Sequence, residues 1–384
     1  MHKIATLNKI SPVGLNKFTD NYEIVDDINE ACGIVVRSQD MKSMDFSDNL
    51  LAIARAGVGY NNIPTDRCAD EGIVVFNTPG ANANAVKELV LAGMLISQRN
   101  FIAANQWASS LETDIANQVE KNKSNFKGNE IKGKTLGVIG LGGIGGQVAN
   151  IAIALGMKVY GYDAYLSVNN ALHLSKDVHV VESIADMLPD CDFLTVHVHV
   201  TDETKGMINA DVFSRIKKGA VLINYARGAI VDAAALKDAL ASGAISKYVT
   251  DFPDENIMGL DNVIMTPHLG ASTDEAEDNC AIMAVEQLMD YIENGNITNS
   301  VNFPSVDMGV CRTASRVGIL HKNIPNMISS ITTALSKLNI SNMTNRSKGE
   351  NAYTLLDVDD EVTKESLAGL KSVKGIISVR IIKA

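Results

Sequence analysis

The feature that most constrains the fold of this chain is a glycine-rich loop at residues 140–145, which reads Gly-Leu-Gly-Gly-Ile-Gly. An apolar, strand-like run at 135–139 leads into the loop, and a helix-like run follows it. In this setting Gly140 permits a tight turn, Gly142 lets the backbone approach a pyrophosphate, and Gly145 lets the helix pack closely on the strand. The helix amino terminus then offers unpaired N–H groups to the phosphates. The loop therefore predicts a dinucleotide-binding βαβ unit.

An acidic residue completes this fingerprint. Asp163 stands at the end of the next strand-like run, 18 residues after Gly145. A carboxylate at this point accepts hydrogen bonds from the ribose hydroxyls of the cofactor, and its charge repels a 2′-phosphate. NAD is therefore the predicted cofactor rather than NADP. The residues predicted to bind it along this segment are Gly140, Gly142, Gly143, Ile144, Gly145 and Asp163.

Alternating strand-like and helix-like segments surround the loop on both sides. Before it, β-branched runs at 33–38, 50–57 and 72–77 predict buried strands, residues 64–72 predict a helix, and 82–108 predict one long helix. Such alternation is typical of parallel α/β domains. After the loop, strands are predicted at 193–200, 220–226, 247–252 and 262–270, and helices at 203–218, 232–243 and 273–294.

The last part of the chain, residues 312–384, has a different pattern. Its order of elements is β-α-β-β-α-β, with the second helix predicted at 361–373 and the last strand at 375–384. This order is that of the ferredoxin-like unit. The predicted fold class is therefore α/β, with two Rossmann-like parallel-sheet domains and a small ferredoxin-like domain. The predicted boundaries are 1–95 and 275–305 for a substrate-binding domain, 96–274 for the inserted nucleotide domain, and 312–384 for the small domain.

Composition excludes several classes of function. The net charge of −11 disfavours nucleic acid as a partner, because the chain and a phosphate backbone repel each other. The five cysteines are far apart and form no CxxC pair, so neither a disulfide framework nor a zinc site is expected. No apolar stretch is long enough to span a membrane, and the amino terminus lacks the apolar region of a signal peptide. We therefore expect a cytoplasmic protein that binds small molecules and no metal.

Charged residues follow three of the predicted strands in the second half of the nucleotide domain. Arg227, Asp251 and His268 come after successive strands, and open α/β sheets bind ligands at the carboxyl ends of their strands. A guanidinium binds a carboxylate through two parallel hydrogen bonds. An imidazole with a pKa near neutrality serves both as the base for an alcohol and as the acid for a ketone. A neighbouring carboxylate, Glu255 or Asp254, would raise that pKa.

These motifs, together with the segments 54–63 and 76–89, resemble the D-isomer-specific 2-hydroxyacid dehydrogenases over nearly the whole chain. The resemblance implies hydride transfer between a nicotinamide and a small D-2-hydroxy acid. It implies that Arg227 binds the substrate carboxylate and carbonyl, that His268 is the proton donor or acceptor, and that Glu255 is the partner of His268. The family segment LDVFxxEP is one residue shorter in this chain and lacks the proline, which leaves Asp254 as an alternative to Glu255.

The resemblance also assigns binding residues. Asp251 matches an aspartate near the nicotinamide amide, and arginines after two strands of the first domain suit a phosphorylated substrate. The further cofactor-binding residues implied are His197, Tyr225, Ala226, Asp251, Gly270 and Ala271. The substrate-binding residues implied are Arg37, Ser38, Arg55, Gly57, Asn77 and Gly80.

Residues 319–341 resemble the start of an ACT domain. His321 and Asn323 match residues that bind serine in regulated relatives, which implies serine as an effector. A second asparagine of that site falls on Ser341 by an ungapped count, with Asn339 and Asn342 nearby. The alternative to serine binding is that the small domain only holds subunits together. The family resemblance itself implies a homodimer or homotetramer.

Three other functions stay open at this point. One is a related dehydrogenase that acts on hydroxypyruvate or D-lactate, which the ACT-like tail and Arg55 disfavour. A second is a non-catalytic, NAD-sensing corepressor, which the set Arg227, Glu255 and His268 disfavours. A third is an effector-binding module whose nucleotide domain has lost its function, which would bind no NAD. Turnover of a 2-oxo acid with NADH separates the enzymes from the other two.

Overall fold

The computed structural model describes residues 1–382 and contains two compact units. One unit consists of Met1–Asn82 together with the chain from Asp274 onward, and the other of Ala83–Thr273. The predicted boundary between residues 95 and 96 falls inside a helix, α3 (Ala83–Gln98). Val86, Val90 and Met94 of α3 are buried in the core of the second unit, so the helix belongs there. Among the described residues, no helix is long and apolar enough to cross a membrane.

A five-stranded parallel sheet forms the centre of the first unit. Its strand order is β2-β1-β3-β4-β5, so the order reverses between β1 and β3. Ligands bind at the carboxyl ends of the strands beside such a reversal. The three strands predicted here are confirmed as β3, β4 and β5, whereas β1 and β2 were missed. The elements are β1 (His2–Leu7), α1 (Pro12–Leu15), β2 (Tyr22–Val25), β3 (Gly33–Val36), β4 (Ala52–Arg55), α2 (Thr65–Asp70), β5 (Val74–Phe76) and α10 (Asp274–Asn294).

The second unit contains a seven-stranded parallel sheet in the order β12-β11-β10-β9-β6-β7-β8. This order reverses between β6 and β9, as in dinucleotide-binding folds. The strands are β6 (Thr135–Ile139), β7 (Lys158–Tyr162), β8 (Val178–Val180), β9 (Phe193–Val196), β10 (Ala220–Asn224), β11 (Ile245–Thr250) and β12 (Val263–Met265). The helices after α3 are α4 (Phe101–Ser109), α5 (Ile115–Asn122), α6 (Gly145–Ala154), α7 (Val168–His173), α8 (Ala210–Arg215) and α9 (Ala233–Ser242).

The prediction of a single helix at 82–108 is wrong, because residues 99–100 are not helical and separate α3 from α4. Carbonyl groups in the last turn of α3 find partners elsewhere in the fold. The Lys247 ammonium donates to the carbonyl of Ser97 at 2.7 Å, and the backbone N–H of Asn129 donates to that of Gln98 at 3.0 Å. These bonds satisfy the end of α3 without a further helical turn.

The small antiparallel sheet at the end of the chain has the order β14-β15-β13-β16, which is that of a ferredoxin-like unit. Its elements are β13 (Ser315–Lys322), α11 (Met327–Ala334), β14 (Ile340–Lys348), β15 (Asn351–Val358) and β16 (Ile376–Ile382). The last two residues of the predicted strand 375–384 lie outside the described residues.

The helix predicted at 361–373 is wrong, since this segment contains a single 3₁₀ turn at Ala368–Ser372. Thr363 and Ser366 hydrogen-bond to each other's backbone N–H groups through their hydroxyls, at 3.0 and 3.3 Å. Such local side-chain bonds compete with helix formation.

One face of the small sheet packs on α10. Tyr353, Leu355 and Ile382 share an apolar core with Leu288 and Tyr291 of that helix. Polar groups of the sheet also satisfy the carboxyl end of α10. The carbonyls of Tyr291 and Ile292 accept from Arg380, that of Asn294 accepts from Arg316 at 2.9 Å, and that of Gly295 accepts from the Tyr353 hydroxyl at 2.8 Å. The small domain therefore caps α10.

Candidate active site

The glycine-rich loop between β6 and α6 requires glycine at two positions. Gly140 has a φ of +90°, and a side chain there would place Cβ 2.5 Å from the carbonyl oxygen of His197. A Cβ at Gly145 would lie 1.8 Å from the carbonyl oxygen of Gly140. A Cβ at Gly142, by contrast, would meet no described atom within 4 Å, so this side of the loop is open. The loop is therefore tight towards the protein and open where a pyrophosphate would approach.

Asp163 follows β7 and fixes the loop from the neighbouring strand. Its Oδ2 accepts the N–H of Leu141 and its Oδ1 accepts the N–H of Tyr165, both at 2.8 Å. A carboxylate oxygen accepts more than one hydrogen bond, so both oxygens keep capacity for ribose hydroxyls. The position of Asp163 thus fits the role predicted from the fingerprint.

His197 follows β9, the strand on the other side of the reversal in strand order. Its backbone N–H donates to the carbonyl of Ile139 at 2.7 Å, and its ring Nε2 lies 3.0 Å from the Thr195 hydroxyl. Burial lowers the pKa of His197 to about 4. The imidazole is therefore neutral near pH 7, which suits a position beside a cofactor and argues against a role in proton transfer at that pH.

Arg227, Asp251 and His268 follow β10, β11 and β12, which are neighbours in the sheet. The turn that carries Arg227 is held by Asn224, a fully buried residue that the sequence reasoning missed. The Asn224 amide donates to the carbonyl of Arg227 at 2.9 Å and its oxygen accepts the N–H of Ala226 at 3.1 Å. The guanidinium of Arg227 donates to the carbonyl of Ala226 at 2.7 Å. Tyr225, on the same turn, is buried, which raises the pKa of its hydroxyl.

Asp251 is fully buried, and only one of its carboxylate oxygens has a partner in the part of the chain that the structure describes. Oδ2 accepts the N–H of Gly270 at 2.8 Å, whereas Oδ1 is buried without a hydrogen bond. Burial raises the pKa of Asp251, against the opposing effects of the Gly270 N–H and of His268. An unpartnered buried acceptor is costly unless a donor reaches it. The carboxamide N–H of a nicotinamide would supply that donor, so this residue fits the predicted cofactor.

Phe252 connects the polar residues of this group, and the sequence reasoning did not single it out. Its ring centroid lies 4.5 Å from that of His268, and the guanidinium carbon of Arg227 lies 5.5 Å from it. The ring gives the side chains of both Arg227 and His268 an apolar surface to pack against. Its place directly after Asp251 was the available signal.

Among the described residues, no hydrogen bond or ion pair joins His268 to Glu255 or to Asp254. Oδ1 of Asp254 instead accepts the N–H groups of Asn256 at 2.8 Å and Ile257 at 3.2 Å, which makes it the residue that closes this turn. Glu255 is exposed on the same turn. The turn therefore uses Asp254 for its own structure and leaves the Glu255 carboxylate available.

The predicted substrate-binding residues lie within the first unit, several of them at the carboxyl ends of β3 and β4. Arg37 and Ser38 follow β3, next to the reversal in strand order. Oδ1 of Asn8, which the sequence reasoning missed, accepts the N–H of Ser38 at 2.9 Å. Nε of Arg55 donates to the carbonyl of Arg37 at 3.1 Å. These bonds bring Arg37, Ser38 and Arg55 together at one edge of the sheet.

Gly57, Asn77 and Gly80 shape the loops beside this edge. Gly57 has a φ of +148°, and a Cβ there would lie 1.7 Å from Nη1 of Arg55, so the guanidinium folds over this glycine. The Asn77 amide donates to the carbonyl of Val58 at 2.7 Å, and the carbonyl of Asn77 accepts from Gln287 at 3.1 Å. Gly80 has a φ of +86° with open space around it.

In the small domain, His321 is buried and its ring contacts two polar side chains. Nε2 lies 2.9 Å from the Thr354 hydroxyl and 3.1 Å from Oδ1 of Asn345. Asn323 is exposed, and its amide donates to the carbonyl of Gly349 at 3.1 Å. The amide beside His321 is thus that of Asn345. Ser341, on which the ungapped count placed the second asparagine of the serine site, instead donates its hydroxyl to a backbone carbonyl.

Known proteins resemble this chain over most of its length. Residues 91–270 match the family described as D-isomer specific 2-hydroxyacid dehydrogenase, NAD binding domain. A D-3-phosphoglycerate dehydrogenase of Haemophilus influenzae is 32% identical over 382 residues, which cover 95% of this chain and 90% of that protein. The chain belongs to the D-isomer specific 2-hydroxyacid dehydrogenase family. The matched range contains the glycine-rich loop and the residues Asp163, Arg227, Asp251 and His268.

Two further relatives agree with this assignment. A D-3-phosphoglycerate dehydrogenase of Escherichia coli is 32% identical and covers 94% of this chain, with 90% of its own length matched. The crystal structure of an NAD⁺-bound 3-phosphoglycerate dehydrogenase of Entamoeba histolytica superposes with a TM-score of 0.61 at 27% identity. That alignment covers 78% of this chain and 98% of the other. The chain is therefore an NAD-dependent dehydrogenase of this family.

Proposed function

We propose that the chain catalyses the NAD-dependent interconversion of D-3-phosphoglycerate and 3-phosphohydroxypyruvate, the first step of serine biosynthesis. Relatives that are named for this activity match at 32% identity over nine-tenths of their length. The observation that carries the proposal is the arrangement of Arg227, Asp251 and His268 at the ends of three neighbouring strands of the nucleotide-binding sheet.

The cofactor residues act as a set within the second unit. We propose that the N–H groups of the loop 140–145 bind the pyrophosphate, that Asp163 binds the ribose, and that Oδ1 of Asp251 accepts from the nicotinamide amide. His197, Tyr225, Ala226, Gly270 and Ala271 are proposed to line the rest of this site. When bound, NAD accepts the hydride from C2 of the hydroxy acid.

The reacting hydroxyl requires a base, and His268 is the proposed one. The imidazole takes the hydroxyl proton as the carbonyl forms and returns it in the reverse direction. Arg227 binds the carboxylate and stabilises the charge that develops on the C2 oxygen. Glu255 is proposed as the third catalytic residue, which would approach His268 through movement of the turn that Asp254 closes.

The first unit is proposed to recognise the substrate. Arg37 and Arg55 carry the positive charge for the phosphate group, and backbone N–H groups around Ser38, Gly57, Asn77 and Gly80 complete this role. In the proposed division of labour, the first unit without its small domain binds the phosphate group of the substrate, and the second unit binds NAD and supplies Arg227 and His268.

The test follows NADH absorbance with three 2-oxo acids: 3-phosphohydroxypyruvate, hydroxypyruvate and pyruvate. We expect a clear preference in kcat/KM for the phosphorylated acid. Equal or better turnover of an unphosphorylated acid would keep the dehydrogenase but remove this substrate. No turnover of any of the three, despite NADH binding, would favour a sensor over an enzyme.

The small domain is proposed to be an ACT domain that binds serine. His321 and Asn323 were predicted for this role, and Asn345 and Thr354 join them because both contact the imidazole of His321. The test is titration calorimetry with L-serine, alongside turnover in its presence. Heat of binding that disappears in Asn345→Ala would support the site, whereas activity and calorimetry that both ignore millimolar serine would leave the domain a purely structural role.

A homo-oligomer is also proposed, on the basis of exposed apolar side chains in the second unit. Phe101 is 64% exposed and Ile115 is 53% exposed, and burial of such side chains between subunits would remove apolar surface from water. The test is the molar mass in solution by light scattering, with Phe101→Asp and Ile115→Asp as disrupting variants.

A cytoplasmic location is proposed from the five unpaired cysteines.

A further inference from the structure

The candidate phosphate-binding residue Arg37 already has an anionic partner within its own unit. Nη2 of Arg37 lies 2.7 Å from Oε1 of Glu277, and the two side chains are 37% and 42% exposed. Glu277 belongs to the first turn of α10, which also carries Asp274 and Glu275. A ligand that approaches Arg37 from solvent therefore meets a carboxylate on the same guanidinium.

The loop that carries Arg37 is held without the help of Glu277. Oδ1 of Asn8 accepts the N–H groups of Ser38 at 2.9 Å and Gln39 at 2.6 Å, and Nε of Arg55 donates to the carbonyl of Arg37 at 3.1 Å. None of these bonds involves Glu277. Glu277 is therefore not required to position the backbone of Arg37.

Glu277 also has a favourable environment when it releases Arg37. The amino end of a long helix carries partial positive charge, which stabilises carboxylates in the first turn. The neighbouring Asp278 has a different partner, since its Oδ1 accepts from the Ser11 hydroxyl. Exposed ion pairs are weak, because water solvates both groups when they separate. The contact between Arg37 and Glu277 can thus open at small cost.

The charges of Arg37, Arg55 and Glu277 all act on one buried thiol, that of Cys280. Cys280 lies one turn further along α10 and is buried, and burial raises the pKa of its thiol. The charges of Arg55 and Arg37 oppose that rise in pKa, whereas the charge of Glu277 adds to it. Glu277 therefore offsets part of the positive field that the two arginines create at this edge of the sheet.

We propose that Glu277 is an internal anion that competes with the substrate for Arg37, and that it makes the chain select a distal phosphate over a distal carboxylate. The inference rests on the proposed role of Arg37 in binding the substrate phosphate. A phosphate dianion attracts the guanidinium more strongly than Glu277 does. A ligand carboxylate carries the same charge as Glu277 but lacks its high effective concentration, because Glu277 is attached to the chain.

The test compares KM values for three 2-oxo acids that differ in their distal group: 3-phosphohydroxypyruvate, oxaloacetate and hydroxypyruvate. In Glu277→Gln we expect KM for oxaloacetate to fall by roughly tenfold and KM for the phosphorylated acid by roughly threefold. KM for hydroxypyruvate should stay unchanged. Glu286→Gln is the matched control, since Glu286 lies on the same helix and pairs with Lys17 at 3.6 Å.

Two results would overturn the inference. One is a KM for oxaloacetate that falls in Glu277→Gln by no more than KM for the phosphorylated acid does, and the other is a higher KM for the phosphorylated acid, which would make Glu277 a residue that orients Arg37. Arg37→Met separates the inference from the proposed function beneath it. If Arg37→Met leaves KM for the phosphorylated acid unchanged, the phosphate role of Arg37 itself is wrong. If it raises that KM, Glu277→Gln should have no further effect in the Arg37→Met background.

Discussion

The imidazole of His268 and the phenyl ring of Phe252 lie with their centroids 4.5 Å apart and their planes tilted by 47°. The guanidinium of Arg227 contacts the same phenyl ring. An apolar side chain thus supports both polar groups that the proposed chemistry requires, and no hydrogen bond orients the His268 ring within the described residues. Phe252 is therefore expected to be a positioning residue.

Replacement of Phe252 tests this role. Phe252→Leu should lower kcat by about two- to tenfold, since an aromatic contact contributes about 0.5–1.5 kcal/mol. Phe252→Tyr keeps the ring and should restore kcat. The measurement is steady-state turnover together with the Kd for NADH, which should be the same in all three proteins. A leucine variant with wild-type kcat would remove the role.

Replacement of His268 tests the proposed base directly. His268→Asn should lower kcat by about two orders of magnitude or more, because general acid–base catalysis contributes that much, and should leave the Kd for NADH similar. His173→Gln, an exposed histidine on α7, is the matched control. Substantial activity in His268→Asn would mean that another group moves the proton.

Asp251→Asn should raise stability and weaken cofactor binding at the same time. Burial raises the pKa of Asp251, so the ionised native form is disfavoured at neutral pH. The amide keeps an acceptor for the Gly270 N–H but turns its NH₂ group towards the nicotinamide amide. We expect a higher Tm at pH 7, a gain that disappears as pH falls below the ordinary carboxyl pKa, and a higher Kd for NADH. A lower Tm at pH 7 would show that the Asp251 carboxylate is stabilised in the fold.

His197 should make the native state sensitive to mild acid. Its pKa is lowered to about 4 from the ordinary value of 6.5, so below pH 6.5 the unfolded chain binds a proton that the native state excludes. The contribution of neutral His197 to the free energy of unfolding is therefore fully present above pH 6.5 and is lost as the pH falls towards 4. Between pH 7 and pH 5 this amounts to roughly 2 kcal/mol.

The measurement is Tm at pH 7 and pH 5 for the wild-type chain, His197→Gln and His199→Gln. The decrease in Tm should be smaller in His197→Gln, while His199→Gln, with an exposed ring in the same segment, should behave as the wild type. Equal decreases in all three proteins would contradict the expectation.

The buried ion pair of the small domain should be essential for stability. Arg316 is fully buried and binds both oxygens of Asp357, at 2.6 and 3.0 Å, as well as the carbonyl of Asn294. Arg316→Met should cost about 3–5 kcal/mol, because it leaves the Asp357 carboxylate unpaired in the interior. Lys123→Met breaks an exposed pair with Glu120 and should cost less than about 1 kcal/mol. Thermal unfolding that responds equally to both changes would be evidence against this view.

The parts of the fold with strong periodicity were predictable. The glycine-rich loop and Arg227 follow the fully buried strands β6 and β10, and Asp163, Asp251 and His268 follow partly buried strands whose apolar residues are visible in the sequence. The strands β1 and β2 were missed because polar residues interrupt them; β2 is an edge strand with two exposed residues in its centre. The end of α3 was missed because its carbonyls bond to Lys247 and Asn129, which are distant in sequence.

The site residues that sequence reasoning missed act through tertiary contacts. Asn8 and Asn224 hold loops in place, and nothing in their local pattern distinguishes them from other asparagines. Phe252 contacts His268, and its one sequence signal is its place directly after Asp251. Glu277 belongs to an acidic helix start that is common at helix amino termini. Its relation to Arg37 exists only because α10 returns to the sheet formed by the first 82 residues.

That return has a consequence for the order in which the molecule is made. The nucleotide-binding unit is a continuous stretch, so it can fold as soon as it leaves the ribosome. The core of the first unit instead combines Ile4 and Ala54 with Leu288, Tyr353 and Ile382, and the last turn of α10 bonds to Arg316 and Arg380. The segment Met1–Asn82, which is synthesised before the nucleotide-binding unit, is thus completed only after the residues that follow that unit have been made.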